Sequence, residues 1–118
     1  MTKSRNKYLP ERGDLVWLEF DPQAGHEQRG LRPALVLSPL EYNRKVGLAV
    51  VCPLTTKIKG YPFEVKVADS TEGERPSVVL ADQVRSVDWN ARSARRFGRA
   101  SPETLSQVTH KLAALIGA

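Results

Sequence analysis

A chain of 118 residues is long enough for one domain with a real core. Its 41% hydrophobic fraction is ordinary for a globular protein, its longest apolar run (47–54) is far too short to span a bilayer, and its polar, basic start lacks the apolar stretch of a signal peptide, so the expectation is a cytoplasmic protein with no membrane segment. The net charge of +5 suits an anionic partner, nucleic acid above all, while a single cysteine, Cys52, excludes an internal disulfide and a cysteine metal cluster.

Residues 1–12 read as a flexible basic arm with Lys3, Arg5, Lys7 and Arg12, ending in a turn at Arg12-Gly13-Asp14. Leu15 to Phe20 reads as a first strand. Alternation puts Val16, Leu18 and Phe20 on one face and Leu15, Trp17 and Glu19 on the other, the second being the wetter, with Trp17 packed in it. A polar loop over 21–32 follows, bracketed by Pro22 and Pro33, and then a short apolar strand over 33–38. Residues 39–46 form a polar turn region with one helical turn around Leu40 and Tyr42, and 48–54 a buried strand that holds Cys52 as an inert thiol. A second polar loop, 55–60, ends at Gly60. Phe63 to Val67 alternates, with Phe63, Val65 and Val67 inward, and a charged loop covers 69–77. Residues 78–87 are one long bent strand or two short ones with Asp82 near the bend, and 95–99 adds a last short strand. Helical signals come only at the end: Ser101 as N-cap, Pro102 at the first helical position, the stripe Leu105, Val108, Leu112 and Leu115, then Gly117 as stop, with His110 off the stripe. Many short strands and one terminal helix predict a small, strongly bent antiparallel sheet or barrel, mainly β within the α+β class.

The two polar loops hold the chemistry. Within 26–32 stand a histidine, a carboxylate, an amide and two guanidiniums, and the loops together offer Glu27, Arg29, Arg32, Thr55, Thr56, Lys57 and Lys59. A solvated polar loop without chemistry is the plainer reading of the composition alone. The mixture nevertheless suits a phosphodiester: guanidinium binds phosphate bidentately and stabilises developing charge, a carboxylate accepts a proton, and threonine hydroxyls bond phosphate oxygens. No acidic cluster for magnesium is present, and two distant histidines, His26 and His110, cannot build a zinc site. Cleavage without a metal or other cofactor needs an internal nucleophile, and RNA carries one in its 2′-hydroxyl.

The motifs Arg12-Gly13-Asp14-Leu15-Val16-Trp17, Phe20-Asp21-Pro22, Gly25-His26-Glu27-Gln28 and Gly30-Leu31-Arg32-Pro33-Ala34 resemble the MazF/PemK family of toxin endoribonucleases. So do Val36-Leu37-Ser38-Pro39 with Tyr42-Asn43, Cys52-Pro53-Leu54-Thr55-Thr56, Lys59-Gly60-Tyr61-Pro62-Phe63-Glu64-Val65 and Leu80-Ala81-Asp82-Gln83-Val84-Arg85-Ser86. The match runs from Pro10 to the terminal helix in the family's order and spacing, over a single domain spanning 1–118. The resemblance implies an SH3-like small barrel, a homodimer, and a sequence-specific, single-strand-specific ribonuclease that needs no metal and leaves a 2′,3′-cyclic phosphate and a 5′-hydroxyl. It implies as partners single-stranded mRNA and an antitoxin that wraps the dimer and blocks the RNA groove; a basic groove further predicts that the antitoxin's tail is acidic and initially disordered and lies near Trp17. The family's catalytic positions fall on Glu27, Arg32 and Thr55, and its glutamine near the RNA groove falls on Gln83; Gln28, Arg29, Thr56, Lys57 and Lys59, from the two polar loops, are read as further RNA-binding residues. His26 stands where the family often has a small polar residue such as serine; its neutral-range pKa suits a general acid, yet the family does its chemistry without it. Guanidinium hardly deprotonates, so Arg32 is read as a charge stabiliser and Glu27 as base or as the group that orients Arg32.

Two other functions use the same barrel: a toxin that jams a DNA topoisomerase without cleaving anything, and a non-catalytic RNA-binding module. The topoisomerase poison has no need of the set Glu27, Arg32 and Thr55.

Overall fold

The computed structural model describes residues 8–20, 30–67 and 76–118. Its elements are β1 (Asp14–Phe20), β2 (Gly30–Val36), α1 (Leu40–Val46), β3 (Ala49–Thr55), β4 (Glu64–Lys66), β5 (Val78–Leu80), β6 (Arg85–Val87), β7 (Arg95–Arg99) and α2 (Pro102–Ile116). The strands pair antiparallel in the order β4-β5-β3-β2-β1-β7, and β6 also pairs with β3. β5 and β6 therefore follow one another along β3, one against Leu54 and Thr55, the other against Ala49 to Val51. Of the two readings for 78–87, two short strands separated by a turn is the one observed. The expected class, a small SH3-like antiparallel barrel with a C-terminal helix, is the fold of the chain.

The sheet buries both of its faces. Leu15, Leu35, Cys52, Val65 and Val79 pack with Val108 of α2 in one cluster; Val16, Leu18, Ala34, Val36, Val51 and Val87 form another on the opposite face. Trp89 and Ala94, between β6 and β7, join the second cluster. This corrects the expectation that the Leu15 face of β1 is the wet one. Leu15 is 2% exposed and Val16 1%, and only Glu19 on that face opens to water. Trp17 is half-buried and packs as expected, its ring 4.7 Å from that of Phe97.

Residues 8–12 of the basic arm are anchored, which departs from the flexible arm expected there. Asp14, 3% exposed, accepts hydrogen bonds from the Tyr8 hydroxyl, the Glu11 N–H at 3.1 Å and Arg99 Nη1 at 2.7 Å. The turn before it needs Gly13: its φ is +96°, and an added Cβ would lie 3.1 Å from the Arg99 guanidinium.

The turn region at 39–46 is a complete short helix, α1, and its cause is a buried amide. Asn43 Nδ2 donates to the carbonyls of Pro10 (2.8 Å) and Ser38 (3.0 Å), while Oδ1 accepts from Ser38 Oγ. In α2 the signals act as read. Ser101 Oγ accepts from Thr104 N–H at 3.0 Å, Pro102 opens the helix, and Gly117 closes it at φ +80°. Leu105, Val108 and Leu112 enter the core, but Leu115 is 47% exposed, because the helix has run past the sheet by then.

Candidate functional site

Strand parity builds one face of the site. Leu18 and Phe20 on β1, Arg32 and Ala34 on β2, and Val51, Pro53 and Thr55 on β3 share the face of the second core cluster. A hollow of about 370 Å³ opens there, with an apolar floor and a rim of Phe20, Arg32, Gln83 and Arg85. A second hollow, about 220 Å³, is lined by Thr55, Lys57, Lys59, Tyr61, Glu64 and Gln83. Gln83 belongs to both, so the two form one groove with an amide at its middle. The side chain of Gln83 makes no hydrogen bond among the described residues, which leaves its donor and acceptor for a ligand.

Arg32 was expected in a loop and lies in a strand. β2 starts at Gly30 because its ladder with β1 continues through Leu18–Arg32 to Phe20–Gly30. The backbone of Arg32 is thus fixed while its side chain is exposed, the guanidinium 5.7 Å from the Phe20 ring centre. The β2–β3 ladder pairs Ala34 with Pro53, and carrying that register two residues on sets Arg32 across from Thr55. Thr55, expected as the first residue of the 55–60 loop, is the last residue of β3, and its Oγ1 accepts the Lys57 N–H at 3.0 Å. Its hydroxyl hydrogen is left to point outward as a donor.

The loop after β3 is held from across the groove. Glu64 accepts the backbone N–H groups of Lys59 (2.8 Å) and Gly60 (2.9 Å). The Lys59 bond is the main reason its carboxyl sits below the usual range, with burial opposing. Tyr61 donates to Asp82, which pushes the tyrosine hydroxyl pKa up.

The groove thus joins Arg32, Thr55, Lys57, Lys59 and Gln83 from the predicted set. Thr56 is exposed but lines neither hollow, and Trp17 lies on the other face of β1, toward Phe97. Glu27, Gln28, Arg29 and His26 lie outside the described residues. Among the described residues no three His, Cys, Asp or Glu side chains gather as a metal cluster. Sequence reasoning missed Phe20, Tyr61, Glu64 and Arg85 as parts of the site. For Arg85 a signal existed: two residues after Gln83, it falls on the same side of an extended segment. The fold sends Arg99 to Asp14 and Arg92 to Phe20.

The family model for the PemK-like, MazF-like toxin of type II toxin-antitoxin systems matches residues 11–116. The chain belongs to the PemK/MazF toxin family. It is 49% identical over 112 residues to the endoribonuclease toxin MazF of Escherichia coli K12, covering 95% of this chain and 98% of that one. It is 32% identical over 117 residues to the endoribonuclease PemK of Escherichia coli, covering 95% and 86%. Among solved structures, a MazE-MazF crystal structure (Form-II) from Deinococcus radiodurans superposes with a TM-score of 0.87 at 51% identity, covering 94% of this chain and 98% of that one. The family resemblance read from the motifs is therefore a membership.

Proposed function

We propose that this chain is the toxin of a type II pair and acts in the cytoplasm as a sequence-specific endoribonuclease, cutting single-stranded mRNA without a metal. The carrying observation is the groove, in which Arg32 and Thr55, each two residues beyond the last β2–β3 pair, lie on one face in adjoining hollows with Arg85, Lys57 and Lys59. Its relatives named as endoribonucleases support the reading over most of the chain.

In the proposed reaction the ribose 2′-hydroxyl attacks the adjacent phosphorus. The 2′-O–P bond forms, the P–O5′ bond breaks, a base takes the 2′ proton, and the leaving 5′ oxygen gains one. Products are a 2′,3′-cyclic phosphate and a 5′-hydroxyl. Arg32 offers two parallel N–H donors to the phosphate oxygens as charge builds on them, which a lysine cannot do. Thr55 donates its hydroxyl hydrogen to the same phosphate. Glu27, from the sequence pattern alone, serves as base or orients Arg32. Lys57 and Lys59 hold neighbouring phosphates, and Gln83 reads base edges. A cognate antitoxin with an acidic, initially disordered tail folds onto a homodimer of this chain and occupies the same groove, a reading the MazE-MazF complexes support.

The test is incubation of purified protein with a long single-stranded RNA in the presence of a chelator. Discrete fragments ending in cyclic phosphate are expected. Replacing the single ribose 5′ to the cut by deoxyribose abolishes cleavage and leaves binding. Intact RNA in the first experiment, together with a stalled topoisomerase, favours the protein-poisoning reading.

A further inference from the structure

We propose that Arg92 is a positioning residue of this groove, holding Phe20 as the aromatic wall on which a substrate base stacks; the inference rests on the RNA-cleaving reading above. Three guanidiniums surround the Phe20 ring. Arg92 lies 4.3 Å from its centre, Arg32 5.7 Å and Arg85 5.8 Å. What else holds them separates their roles. The side chains of Arg32 and Arg85 make no hydrogen bond or ion pair among the described residues. Arg92 is tied at both ends: its carbonyl accepts the Glu19 N–H at 2.9 Å, and its Nη1 donates to the Glu19 carbonyl at 3.3 Å. Its own N–H is fixed on Asp88 O at 3.0 Å.

The clasp sits where β1 needs it. The β1–β7 ladder stops at Trp17–Arg95, so Glu19 and Phe20 extend beyond β7, and among the described residues no strand pairs with them on that edge. Arg92 takes both main-chain polar groups of Glu19 in place of the missing strand and covers the next residue's ring. On the β2 side Phe20 faces Gly30, which offers no side chain and has open space where a Cβ would stand. The ring also packs against the second core cluster, and Arg92 is the nearest of the three guanidiniums that hold it there. Phe20 lines the first hollow and Arg92 does not, so Arg92 acts on a substrate only through the ring. Bases of any sequence stack on an aromatic face, and a guanidinium on a ring adds a cation–π contact. Arg32 and Arg85 then remain for the flanking phosphates.

The experiment is a double-mutant cycle on steady-state cleavage of a short single-stranded RNA, with a melting curve for each variant. Arg92→Ala and Phe20→Ala should each raise KM roughly tenfold, the scale of one lost stacking contact, with kcat within about twofold of wild type. The double variant should be no worse than either single one, because both remove the same wall. Arg92→Lys, which keeps the charge without the flat guanidinium, should recover only part of the loss. Arg92→Ala should melt close to wild type, since the ladders of β1 with β2 and β7 are untouched, whereas Phe20→Ala also loses packing on the second core cluster and should melt lower. Additive losses, near a hundredfold in the double variant, mean that Arg92 meets the substrate on its own, and the proposal falls. It also falls if Arg92→Ala leaves KM unchanged or melts well below wild type. A wild-type protein that leaves RNA intact overturns the ribonuclease reading itself, and this inference with it.

Discussion

Arg32 shows how one position can be rigid and reactive together. Its backbone is a ladder residue of β2 opposite Leu18, while its side chain is exposed on the groove. Arg32→Ala should therefore cost catalysis and spare the fold. Loss of one preorganised donor typically costs on the order of 10²–10³ in rate, and an exposed substitution shifts stability by within about 0.5 kcal/mol. Arg32→Lys should recover little. Single-turnover cleavage beside melting curves checks both halves, and a near wild-type rate for Arg32→Ala removes it from the mechanism. Cys52 is the opposite case, fully buried with no part in the groove. Burial first, and then the nearby Asp82 charge, push its thiol up to about 12 from 9.0. Below pH 9 the thiol is neutral in both folded and unfolded chains and has no effect on stability. Above it the unfolded chain releases the proton and the folded one does not, so stability falls as pH rises from 9 toward 12, by at most about 1.4 kcal/mol per unit. Denaturant titrations at pH 8 and 10.5 should show that decline in the wild type and a weaker one in Cys52→Ala. At pH 8 the native thiol should resist alkylation that the unfolded chain accepts.

At the scale of elements, the groove depends on one strand holding a neighbouring loop. Glu64 on β4 accepts the Lys59 and Gly60 amides, so Lys57 and Lys59 reach the groove from a shaped turn. Glu64→Ala should speed hydrogen exchange at those two amides and raise KM for RNA several-fold. The melting temperature should hardly change. Because the Glu64 carboxyl lies below its usual value of 4.5, the clasp is present above that pH and is lost as the pH falls through the lowered folded value. Exchange at Lys59 that is equally fast in wild type and variant at neutral pH rules the clasp out. What was legible in the sequence divides along this line of local against distant causes. The caps of α2 lie in a short stretch that specifies itself. α1 was cut to one turn because its helix rests on Asn43 bonding Pro10, far back in the chain. β2 was begun too late because Pro33 suggested a boundary, while the ladder to β1 carries the strand back to Gly30. The wet face of β1 was misjudged because alternation assumes one solvent side, and here the segment carrying Trp89 and Ala94 packs on one side and α2 on the other. Phe20 could be seen as apolar, but its meeting with Arg92 is a product of the whole fold.

Over the whole molecule the net charge of +5 matters through where its cations are spent. Among the described residues the ion pairs are Arg44 with Glu41 and Arg99 with Asp14, and neither touches the groove. Arg32, Arg85, Lys57 and Lys59 line it, and among the described residues no carboxylate pairs with them. A surface that keeps like charges together unpaired costs some stability and gains a polyanion site. Each phosphate neutralised on a single strand releases counterions, giving a slope near −0.7 in log K against log salt, so four groove cations predict a slope of roughly −3. Binding is best read on an RNA made uncleavable by one 2′-deoxy substitution, from 50 mM salt upward. Replacing both loop lysines, Lys57→Gln with Lys59→Gln, should flatten the slope by about 1.4. Arg44→Gln, on a residue that lines neither hollow of the groove, lowers the net charge by one and should leave the slope nearly unchanged. If Arg44→Gln flattens it as much per charge as the lysine pair does, the affinity comes from diffuse basicity, and the groove has no special claim on the RNA.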